Sequence, residues 1–527
     1  MKQSLRQSMA SLHTWAGLLV GWVLFFMFLT GTLGYFDTEI DRWMRPELPV
    51  GQLQPSQRTG IEIGLERLAA AAPDATQWTL YPPSGRDVYH VSLYWVDDAG
   101  EHSETLDHDT GRPLEARATG GGQALYQLHY LLRYLPYGAA TWIVGFCSML
   151  MLTVIVSGVI THKRIFRDFF TFRPRKGRRS WLDLHSLFSV LALPFHLMIT
   201  YSGLVFFVFT YMAFVVSATY GDGPEASSRF FDDAFRNPAV PEAAGVPAPM
   251  ASLTELAARA DALWGEGQIR SIDVRHPGDA NARVILTRSH VDPVSNGGRI
   301  VFDGVSGALL EHTDRRSGPT AVNDALLGLH EGLFATPVLR WLYFAAGLIG
   351  TAMIATGLVL WTAKRRTANA GRAHVGLALV ERLNVGTIIG LPVAIAAYFW
   401  ANRLLPVTLE GRADLEMNAL FVVWLLMLAH AAVRPVHRAW AEQALFASAA
   451  FGLLPVVNAL TTDIGLAATV PAGDWMLAGV DLTALACGAG FAAAARRLRR
   501  LRAGDRARVP AAPEPAGRRL REASQRS

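Results

Sequence analysis

Residues 184–203, LHSLFSVLALPFHLMITYSG, decide the fold, because they repeat residues 12–31, LHTWAGLLVGWVLFFMFLTG, without a gap. In this alignment His185 falls on His13, and the closing Ser-Gly of one stretch falls on the Thr-Gly of the other. Both stretches are apolar and reach the roughly 20 residues that cross a bilayer. An imidazole is costly in hydrocarbon, so the same histidine in two such stretches indicates a functional site.

The composition is that of a membrane protein, with 51% hydrophobic and 18% charged residues in a chain of 527. Eight apolar runs predict transmembrane helices, at about 14–36, 139–161, 185–216, 338–361, 383–401, 416–433, 443–462 and 475–495. The first run is too long for a cleavable signal and lacks a small-residue cleavage site, so we expect it to remain as an anchor.

Lys and Arg are concentrated in a few short segments, namely 163–180, 363–372, 434–438 and the tail from Arg496. The positive-inside rule places these segments and both termini in the cytoplasm. It places the polar segments 37–138 and 217–337 outside, in the periplasm of a Gram-negative cell. The net charge of +5 therefore reflects membrane topology and not nucleic-acid binding.

The two outside segments are also a repeat, and each predicts a small α+β unit. The first contains a helical pattern at Ile61–Ala72 and strand-like runs at Thr76–Tyr81, Val88–Val96 and around Glu104–Leu106. The second contains a helix at Ser252–Trp264 and strands at Ile269–Arg275, Arg283–Arg288 and Arg299–Phe302. Each unit closes on a D-x-x-[ST]-G turn, Asp107–Gly111 and Asp303–Gly307.

We therefore predict a mainly α, polytopic membrane protein whose duplicated four-helix core carries two α+β units outside the membrane. The predicted segments are a cytoplasmic start with the first transmembrane helix (1–36), the first outside unit (37–138), two transmembrane helices joined by a basic cytoplasmic loop (139–216), the second outside unit (217–337), the fourth transmembrane helix with a cytoplasmic loop (338–368), an additional four-helix membrane module (369–497) and a disordered basic tail (498–527). Both repeats start in the cytoplasm, so a pseudo-two-fold axis along the membrane normal should relate them.

The outer ends of the second and fourth transmembrane helices carry the same motif, Leu128-His129 in one repeat and Leu329-His330 in the other. With the two LH…[ST]G helices and the twin D-x-x-[ST]-G units, this order resembles the PepSY-associated transmembrane family over roughly residues 8–368. That family includes iron-regulated inner-membrane proteins and haem-containing ferric-siderophore reductases. The resemblance implies periplasmic PepSY-like domains, a bacterial inner-membrane location, haem b as cofactor with two groups expected, and a ferric siderophore as substrate.

The pseudo-two-fold axis should bring like histidines together. His13 and His185 would meet at the inner side, and His129 and His330 at the outer side. Two axial histidines on one iron are a standard way to hold a low-spin haem for electron transfer. Zinc fits less well, because only Glu331 among nearby residues supplies a carboxylate or thiolate beside these imidazoles.

Two further histidines are candidates for binding the cofactor. His196 lies eleven residues after His185, about 16 Å along a continuous helix and on nearly the same face. Leu24 occupies its place in the first repeat, so His196 would be an additional ligand, letting one helix serve two stacked haems. His162, at the inner end of the second helix, competes with His13 or His185, although an interfacial role also explains it.

Other features near these histidines leave alternatives open. The tyrosines and tryptophans before the second helix form either an interfacial belt or a docking surface. Arg133 and Arg340 are candidates to contact a haem propionate or an anionic chelate. The four [ST]-G pairs either permit close helix approach or make room for a flat macrocycle. His430, in the additional module, is either packed or part of a quinone or haem site.

The first functional hypothesis is a reductase that passes electrons across the membrane to a periplasmic ferric siderophore and releases its iron. The donor is open, either a quinol or a cytoplasmic reductase, because the chain has no dinucleotide fingerprint and no cytoplasmic loop long enough for a flavin domain. A second hypothesis is a non-enzymatic regulatory or binding protein of the PepSY type. A third is an iron or siderophore transporter, which ranks last because the membrane segments carry few charges.

Overall fold

The computed structural model describes residues 4–48, 56–84, 90–107, 110–162, 173, 177–235, 238–289, 298–314, 318–368 and 374–507. The described part is mainly helical and contains one antiparallel sheet. Within these described residues, seven helices are long and apolar enough to cross a membrane, or eight if one bent helix pair is a single span. The predicted fold class, a polytopic membrane protein with an α+β part, is confirmed.

The first repeat begins with a long membrane helix whose start is capped by Ser4 and Gln7, each side chain bonding the other's backbone N–H. Its elements are α1 (Leu5–Leu33), a 3-10 turn (Gly34–Phe36), α2 (Asp37–Met44), α3 (Gln57–Ala71), β1 (Gln77–Tyr81), β2 (Val91–Asp97), β3 (Gly100–Leu106), α4 (Gly121–Gln127) and α5 (Tyr137–Thr161).

The second repeat follows the same order. Its elements are α6 (Arg178–Leu191), α7 (Leu193–Phe206), α8 (Val208–Tyr211), α9 (Ala213–Tyr220), α10 (Pro224–Phe235), α11 (Leu253–Trp264), β4 (Ile269–Arg275), β5 (Arg283–Arg288), β6 (Arg299–Asp303), β7 (Leu309–Thr313), α12 (Pro319–Glu331) and α13 (Pro337–Ala368). Strand β7 was not predicted from the sequence.

The third predicted span, 185–216, is not the continuous helix that we expected. Helices α6 and α7 meet at Ala192 with a bend of 67°. Pro194 explains the break, because proline has no N–H to donate and its ring clashes with the carbonyl four residues earlier. The 16 Å spacing predicted between His185 and His196 therefore does not apply.

The additional module consists of four spans that pack beside the duplicated core. Its elements are α14 (Val375–Ile388), α15 (Gly390–Leu404), α16 (Arg412–Val433), α17 (Val436–Gly452), α18 (Leu454–Thr461), α19 (Leu466–Thr469) and α20 (Trp475–Ala507). Residues 498–507, predicted as part of a disordered tail, continue α20 instead. Ala, Arg and Leu dominate this stretch and favour helix. The rest of that predicted tail, 508–527, and most of the basic segment 163–180 lie outside the described residues.

The two outside units form one sheet and not two. The strand order is β3-β2-β1-β4-β5-β6-β7, and every neighbouring pair is antiparallel. The repeats join where β1 pairs with β4, with Thr79 opposite Asp273 and their side chains hydrogen-bonded at 2.8 Å. Residues from α3, α11 and both halves of the sheet share one hydrophobic cluster. The sheet therefore buries one common core.

The D-x-x-[ST]-G turns have the same geometry in both halves. Asp107 Oδ1 accepts hydrogen bonds from the backbone N–H and hydroxyl of Thr110, at 2.8 and 2.9 Å. Asp303 Oδ1 accepts the equivalent bonds from Ser306, both at 2.9 Å. The closing glycines, at positions 111 and 307, have φ of +66° and +68°. That left-handed conformation explains why glycine ends the motif.

Candidate cofactor site: two histidine pairs

The inner histidine pair consists of His13 on α1 and His185 on α6, with ring centroids 6.2 Å apart. Helix α1 packs against α5 and α13, and α13 packs against α6, so the two rings meet between these helices. The Nδ1 atom of His13 lies 2.9 Å from the Val154 carbonyl oxygen. The Nδ1 atom of His185 lies 2.9 Å from the Met353 carbonyl oxygen. The predicted pairing at this end of the core is present.

The outer histidine pair consists of His129, which follows α4, and His330, in the last turn of α12. Their ring centroids are 6.3 Å apart, and the ring planes are inclined by 21°. His129 Nδ1 is hydrogen-bonded to the Tyr126 carbonyl, and His330 Nδ1 lies 3.0 Å from the Ser202 hydroxyl. The second predicted pairing is therefore present as well, at the other end of the membrane helices.

Hydrogen bonds assign the same tautomer to all four rings. A carbonyl oxygen only accepts, so the Nδ1 atoms of His13, His185 and His129 must each donate an N–H. The Ser202 hydroxyl donates to the Met198 carbonyl at 2.6 Å and hence accepts from His330 Nδ1. In the neutral ring this leaves the lone pair on Nε2. Metal-ligating histidines typically have this arrangement, in which the outer N–H is held by a carbonyl or hydroxyl.

Each [ST]-G glycine faces one histidine of a pair. A Cβ atom added to these glycines would lie 3.4 Å from His129 at Gly31, 3.0 Å from His13 at Gly158, 2.9 Å from His330 at Gly203 and 3.1 Å from His185 at Gly357. The sequence left two roles open for these pairs. The structure shows that these glycines, which have no side chain, leave space for the imidazoles. In both repeats each glycine faces the histidine carried by the other membrane segment of the same repeat.

The ring separations leave room for one metal ion between the two imidazoles of each pair. Two metal–nitrogen bonds of about 2.0 Å each, plus about 1.1 Å from each nitrogen to its ring centre, add up to about 6 Å between centroids. The observed separations are 6.2 and 6.3 Å. Among the described residues no group of three or more His, Cys, Asp and Glu is placed to hold a metal ion. A two-imidazole donor set of this kind suits axial ligation of a haem better than a tetrahedral metal site.

Burial keeps the outer pair uncharged. Loss of hydration lowers the pKa of His129, and the same effect, reinforced by the neighbouring His129, lowers the pKa of His330 to about 3. Both imidazoles are therefore neutral at physiological pH, as a metal ligand must be. Burial also raises the pKa of Glu331, next to His330 in the chain.

A cavity of about 660 Å³ lies beside the outer pair. Its size falls in the range of roughly 300–1,000 Å³ that is typical of ligand and cofactor sites. The wall is mainly aromatic and apolar and includes Tyr126 and Phe206, while the polar part of the lining includes Asp41, Arg270 and Glu331. The outer pair thus has direct access to a large, mostly apolar space.

Neither arginine that we expected near a propionate or chelate is among the residues lining this cavity. Arg133 forms an ion pair with Asp414 at 2.5 Å. Arg340 is buried and forms an ion pair with Glu39, also at 2.5 Å. Both side chains therefore connect elements of the fold.

His196 lies between the two pairs. It is 0% exposed, packs against Phe28 and Phe195, and its Nε2 would be 3.1 Å from a Cβ added at Gly350. Gly350, which faces His196, and Gly357, which faces His185, are seven residues apart on α13. Measured along this helix, His196 therefore lies about 10 Å from the level of the inner pair. Neither ring nitrogen makes a hydrogen bond within the described residues, although the Ala346 backbone is close enough to interact. No second histidine ring contacts it there.

His162 caps the inner end of α5, where its backbone N–H donates to the Gly158 carbonyl at 3.0 Å. It is close enough to His185 for an electrostatic interaction. His430, in the additional module, is hydrogen-bonded through both ring nitrogens, to Glu442 at 3.2 Å and to Gln443 at 3.3 Å. The packed interpretation of His430 fits these contacts.

Sequence reasoning missed a buried polar cluster between the additional module and the core. Its fully buried members include Arg412, Glu416, Asn402 and Asp481. The signal was present in the sequence, since each is a polar or charged residue inside or beside a predicted membrane helix. Some of their partners lie hundreds of residues away in the chain, as in the 3.1 Å hydrogen bond from Trp43 Nε1 to Asp481.

A protein of Pseudomonas aeruginosa, described as "Uncharacterized protein PA4219", is 26% identical over 370 residues. The similarity covers 66% of this chain and 88% of that protein. The family model described as "PepSY-associated TM region" matches residues 10–364, which span both repeats, both histidine pairs and the shared sheet. The module from Val375 onwards lies beyond that match. The duplicated core thus accounts for the whole match, and the chain belongs to the PepSY-associated TM family.

Proposed function

We propose that the protein is a haem b-containing membrane reductase that carries electrons from the inner to the outer histidine pair and reduces a ferric siderophore outside the membrane. The observation that carries this proposal is the ring separation of 6.2 and 6.3 Å in two pairs with matching hydrogen bonds. Two haems, one per pair, would supply one-electron chemistry at the potentials their ligands set.

The residues around each pair hold the imidazoles and exclude water. The carbonyls of Val154 and Met353 fix the inner rings, and the Tyr126 carbonyl and Ser202 hydroxyl fix the outer rings. Because Nδ1 is held by a hydrogen bond, Nε2 is the nitrogen of each ring that remains to bind a metal, and the same bond makes that nitrogen more basic. The same bonds keep the rings from turning when the charge at the site changes by one electron.

The outer cavity is where the substrate would approach. A ferric chelate bound in this cavity, whose lining includes Asp41, Arg270 and Glu331, accepts one electron, and its iron becomes ferrous. Ferrous iron is a weaker partner for the hard oxygen donors of a siderophore, so the metal is released more easily. The tyrosines of the cavity wall, among them Tyr130 and Tyr137, offer flat surfaces for a bulky ligand.

The direction of electron flow follows from the proposed topology. Basic residues near the inner pair, and the sheet beside the outer pair, support a bacterial inner-membrane protein with both termini in the cytoplasm and the sheet in the periplasm. The electron donor would then reach the inner pair, either as a membrane quinol, which releases two electrons and two protons, or as a cytoplasmic reductase.

The test is the optical spectrum of the purified protein, oxidised and dithionite-reduced, together with a pyridine haemochrome count. We expect two b-type haems. The substitutions H13A and H185A should each remove the same one, and H129A and H330A should each remove the other. H430A is the control, since this histidine also lies on a membrane helix and is expected to leave both haems in place.

The predictions that His196 and His162 bind the cofactor are tested by H196L and H162A. Leucine at 196 restores the residue of the first repeat. We expect H196L to retain both haems, because no second imidazole ring contacts His196 within the described residues. We expect H162A to retain them as well, because His13 and His185 already pair with each other at the inner end. Loss of a haem in either variant would instead assign that histidine as a ligand.

Substrate reduction is tested by mixing the dithionite-reduced, desalted protein with a ferric hydroxamate siderophore and a ferrous-iron trap. We expect reoxidation of the outer haem first and release of Fe²⁺, both abolished in H330A. A colourless protein with normal yield and fold would overturn the proposal and favour a regulatory or transport role. If the protein contains haem but the chelate does not reoxidise it, the role in electron transfer would stand and this substrate would be rejected.

A further inference from the structure

The two histidines of the outer pair are carried by very different local structures. His330 lies in the last turn of α12, a helix of 13 residues. His129 follows α4, a helix of seven residues, and an irregular stretch then leads to α5. Within that stretch Tyr134 has a φ of 70°, which is uncommon for a non-glycine residue. A helix as short as α4 is marginal by itself, so the position of His129 must depend on other contacts.

The additional module holds the chain just before His129. Tyr398 on α15 donates its hydroxyl to the Gly121 carbonyl at 2.9 Å. Arg412 on α16 donates to the Ala118 carbonyl at 2.9 Å. The Thr119 hydroxyl donates to the Glu416 carboxylate at 2.5 Å. Three contacts within four residues, at Ala118, Thr119 and Gly121, therefore hold the start of α4.

Helix α16 also contacts the chain just after His129. Asp414 forms an ion pair with Arg133 at 2.5 Å. Asn418 accepts a hydrogen bond from the Tyr134 hydroxyl, and the Phe421 ring lies 5.2 Å from the Tyr134 ring. Positions 414, 418 and 421 share one face of α16, so its outer end contacts the chain on both sides of the histidine.

Buried bonds within the module fix these contacting groups. Arg412 and Glu416 are both 0% exposed and form an ion pair with each other. Asn402 donates to the Glu416 carboxylate at 2.9 Å and to the Met44 carbonyl at 3.1 Å. A buried ion pair is costly unless further hydrogen bonds satisfy its groups. Here Glu416 also accepts from Thr119 and Asn402, and Arg412 also donates to the carbonyls of Ala118 and Asn402. Several buried bonds thus hold the start of α16 in place.

We propose that the four-helix module Val375–Arg500 positions His129 for the outer metal site, with Tyr398 and Glu416 as its main positioning residues. The role of the positioned histidine rests on the proposed function, whereas the support of residues 117–134 does not. The module lies beyond the residues that match the family. In the first repeat the histidine follows the short helix α4, and the module supplies the support that this helix lacks. In the second repeat the longer helix α12 carries the histidine itself.

The test uses the full chain and two substitutions that keep the side-chain shape. Y398F removes the hydroxyl that donates to Gly121, and E416Q removes the carboxylate charge that pairs with Arg412. E442Q is the matched control. It removes a carboxylate that pairs with Arg434 and His430 within the same module, outside this contact region. Amide hydrogen exchange in peptides covering 117–134 should become about fivefold to tenfold faster in Y398F and E416Q. It should be unchanged in E442Q and in peptides of α12.

The second readout is the spectrum and midpoint potential of each haem. Y398F and E416Q should shift the outer haem and leave the inner haem unchanged, which a general loss of stability would not do. Unchanged exchange in 117–134 would overturn the proposal, and so would equal changes in both haems or in α12. If the protein holds no haem, the proposed function fails, and the exchange measurement still decides whether the module supports this segment.

Discussion

At the residue scale, the unusual feature of this protein is that glycine and histidine form matched sets. Each of the four repeat histidines lies against the glycine of an [ST]-G pair, and the hydroxyl of Ser202 also bonds its histidine. Alanine is normally favoured over glycine within a helix by about 1 kcal/mol. A glycine kept at these positions therefore indicates that space for the ring matters more than helix stability.

Replacing these glycines should disturb one pair at a time. In G357A the new Cβ would lie 3.1 Å from His185, and in G203A it would lie 2.9 Å from His330. We expect G357A to alter or remove the inner haem signal and G203A the outer one, without loss of thermal stability. G490A is the control, because nothing lies within 4 Å of its added Cβ. Normal spectra in both variants would show that the rings move aside at no cost.

At the element scale, the two outside units depend on each other. Strands β1 and β4 are central in the seven-stranded sheet, so neither unit has a complete sheet of its own. The turns that end the two units carry the same aspartate hydrogen bonds, which indicates that the repeat is kept in its capping contacts as well as in its strands.

The turn at Asp303 should make the sheet sensitive to acid. Hydrogen bonds from Ser306, above all from its backbone N–H, lower the pKa of Asp303 below its ordinary value. A carboxyl whose pKa is lower in the folded state contributes stability above its unfolded pKa and loses it as the pH falls through the folded pKa. D303N should therefore destabilise the outer domain, meaning the seven-stranded sheet with α3 and α11, by about 1 kcal/mol at pH 7. The difference in unfolding free energy between D303N and wild type should shrink below about pH 4.

Denaturant unfolding of the outer domain, followed by tryptophan fluorescence at pH 7 and at pH 3.5 to 4, measures this difference. D98N is the control, since Asp98 is exposed in a hairpin turn. A destabilisation by D303N that is the same at both pH values would show that the effect comes from lost packing and not from the charge.

At the scale of the whole molecule, the histidine pairs lie at opposite ends of the membrane helices. His13 and Gly31, which faces His129, are 18 residues apart on α1, or about 27 Å. The additional module packs along the core and bonds to it near the outer end, through Arg42 and Asp474 at 2.7 Å among other contacts. The two pairs are therefore separated by nearly the length of a membrane span.

The proposed topology predicts which surfaces are reachable from outside the cell membrane. In a chain with Cys147 and Cys487 replaced by alanine, a single cysteine in E115C should react with a membrane-impermeant maleimide in spheroplasts. A single cysteine in H374C, between α13 and α14, should react only after permeabilisation. Both positions are exposed to solvent. The reverse pattern would invert the orientation and place the outer cavity in the cytoplasm.

The sequence by itself determined the duplicated core, the apolar segments that form the membrane helices and the two histidine pairs. These follow from apolar runs and from a repeat, and symmetry then brings equivalent residues together. Strand and turn positions were also readable, because alternating residues and the D-x-x-[ST]-G motif act over a few neighbouring residues.

Only the tertiary structure decided that the strands form a single sheet and that the third span bends at Ala192. It also decided which glycine faces each histidine and that the module contacts the segment around His129. Tyr398 and Gly121 are 277 residues apart, and neither stands out in its local sequence. The repeat does not predict the module's contacts, because the module has no counterpart in the first 368 residues. Contacts between distant segments depend on how helices pack, and local patterns carry no record of that packing.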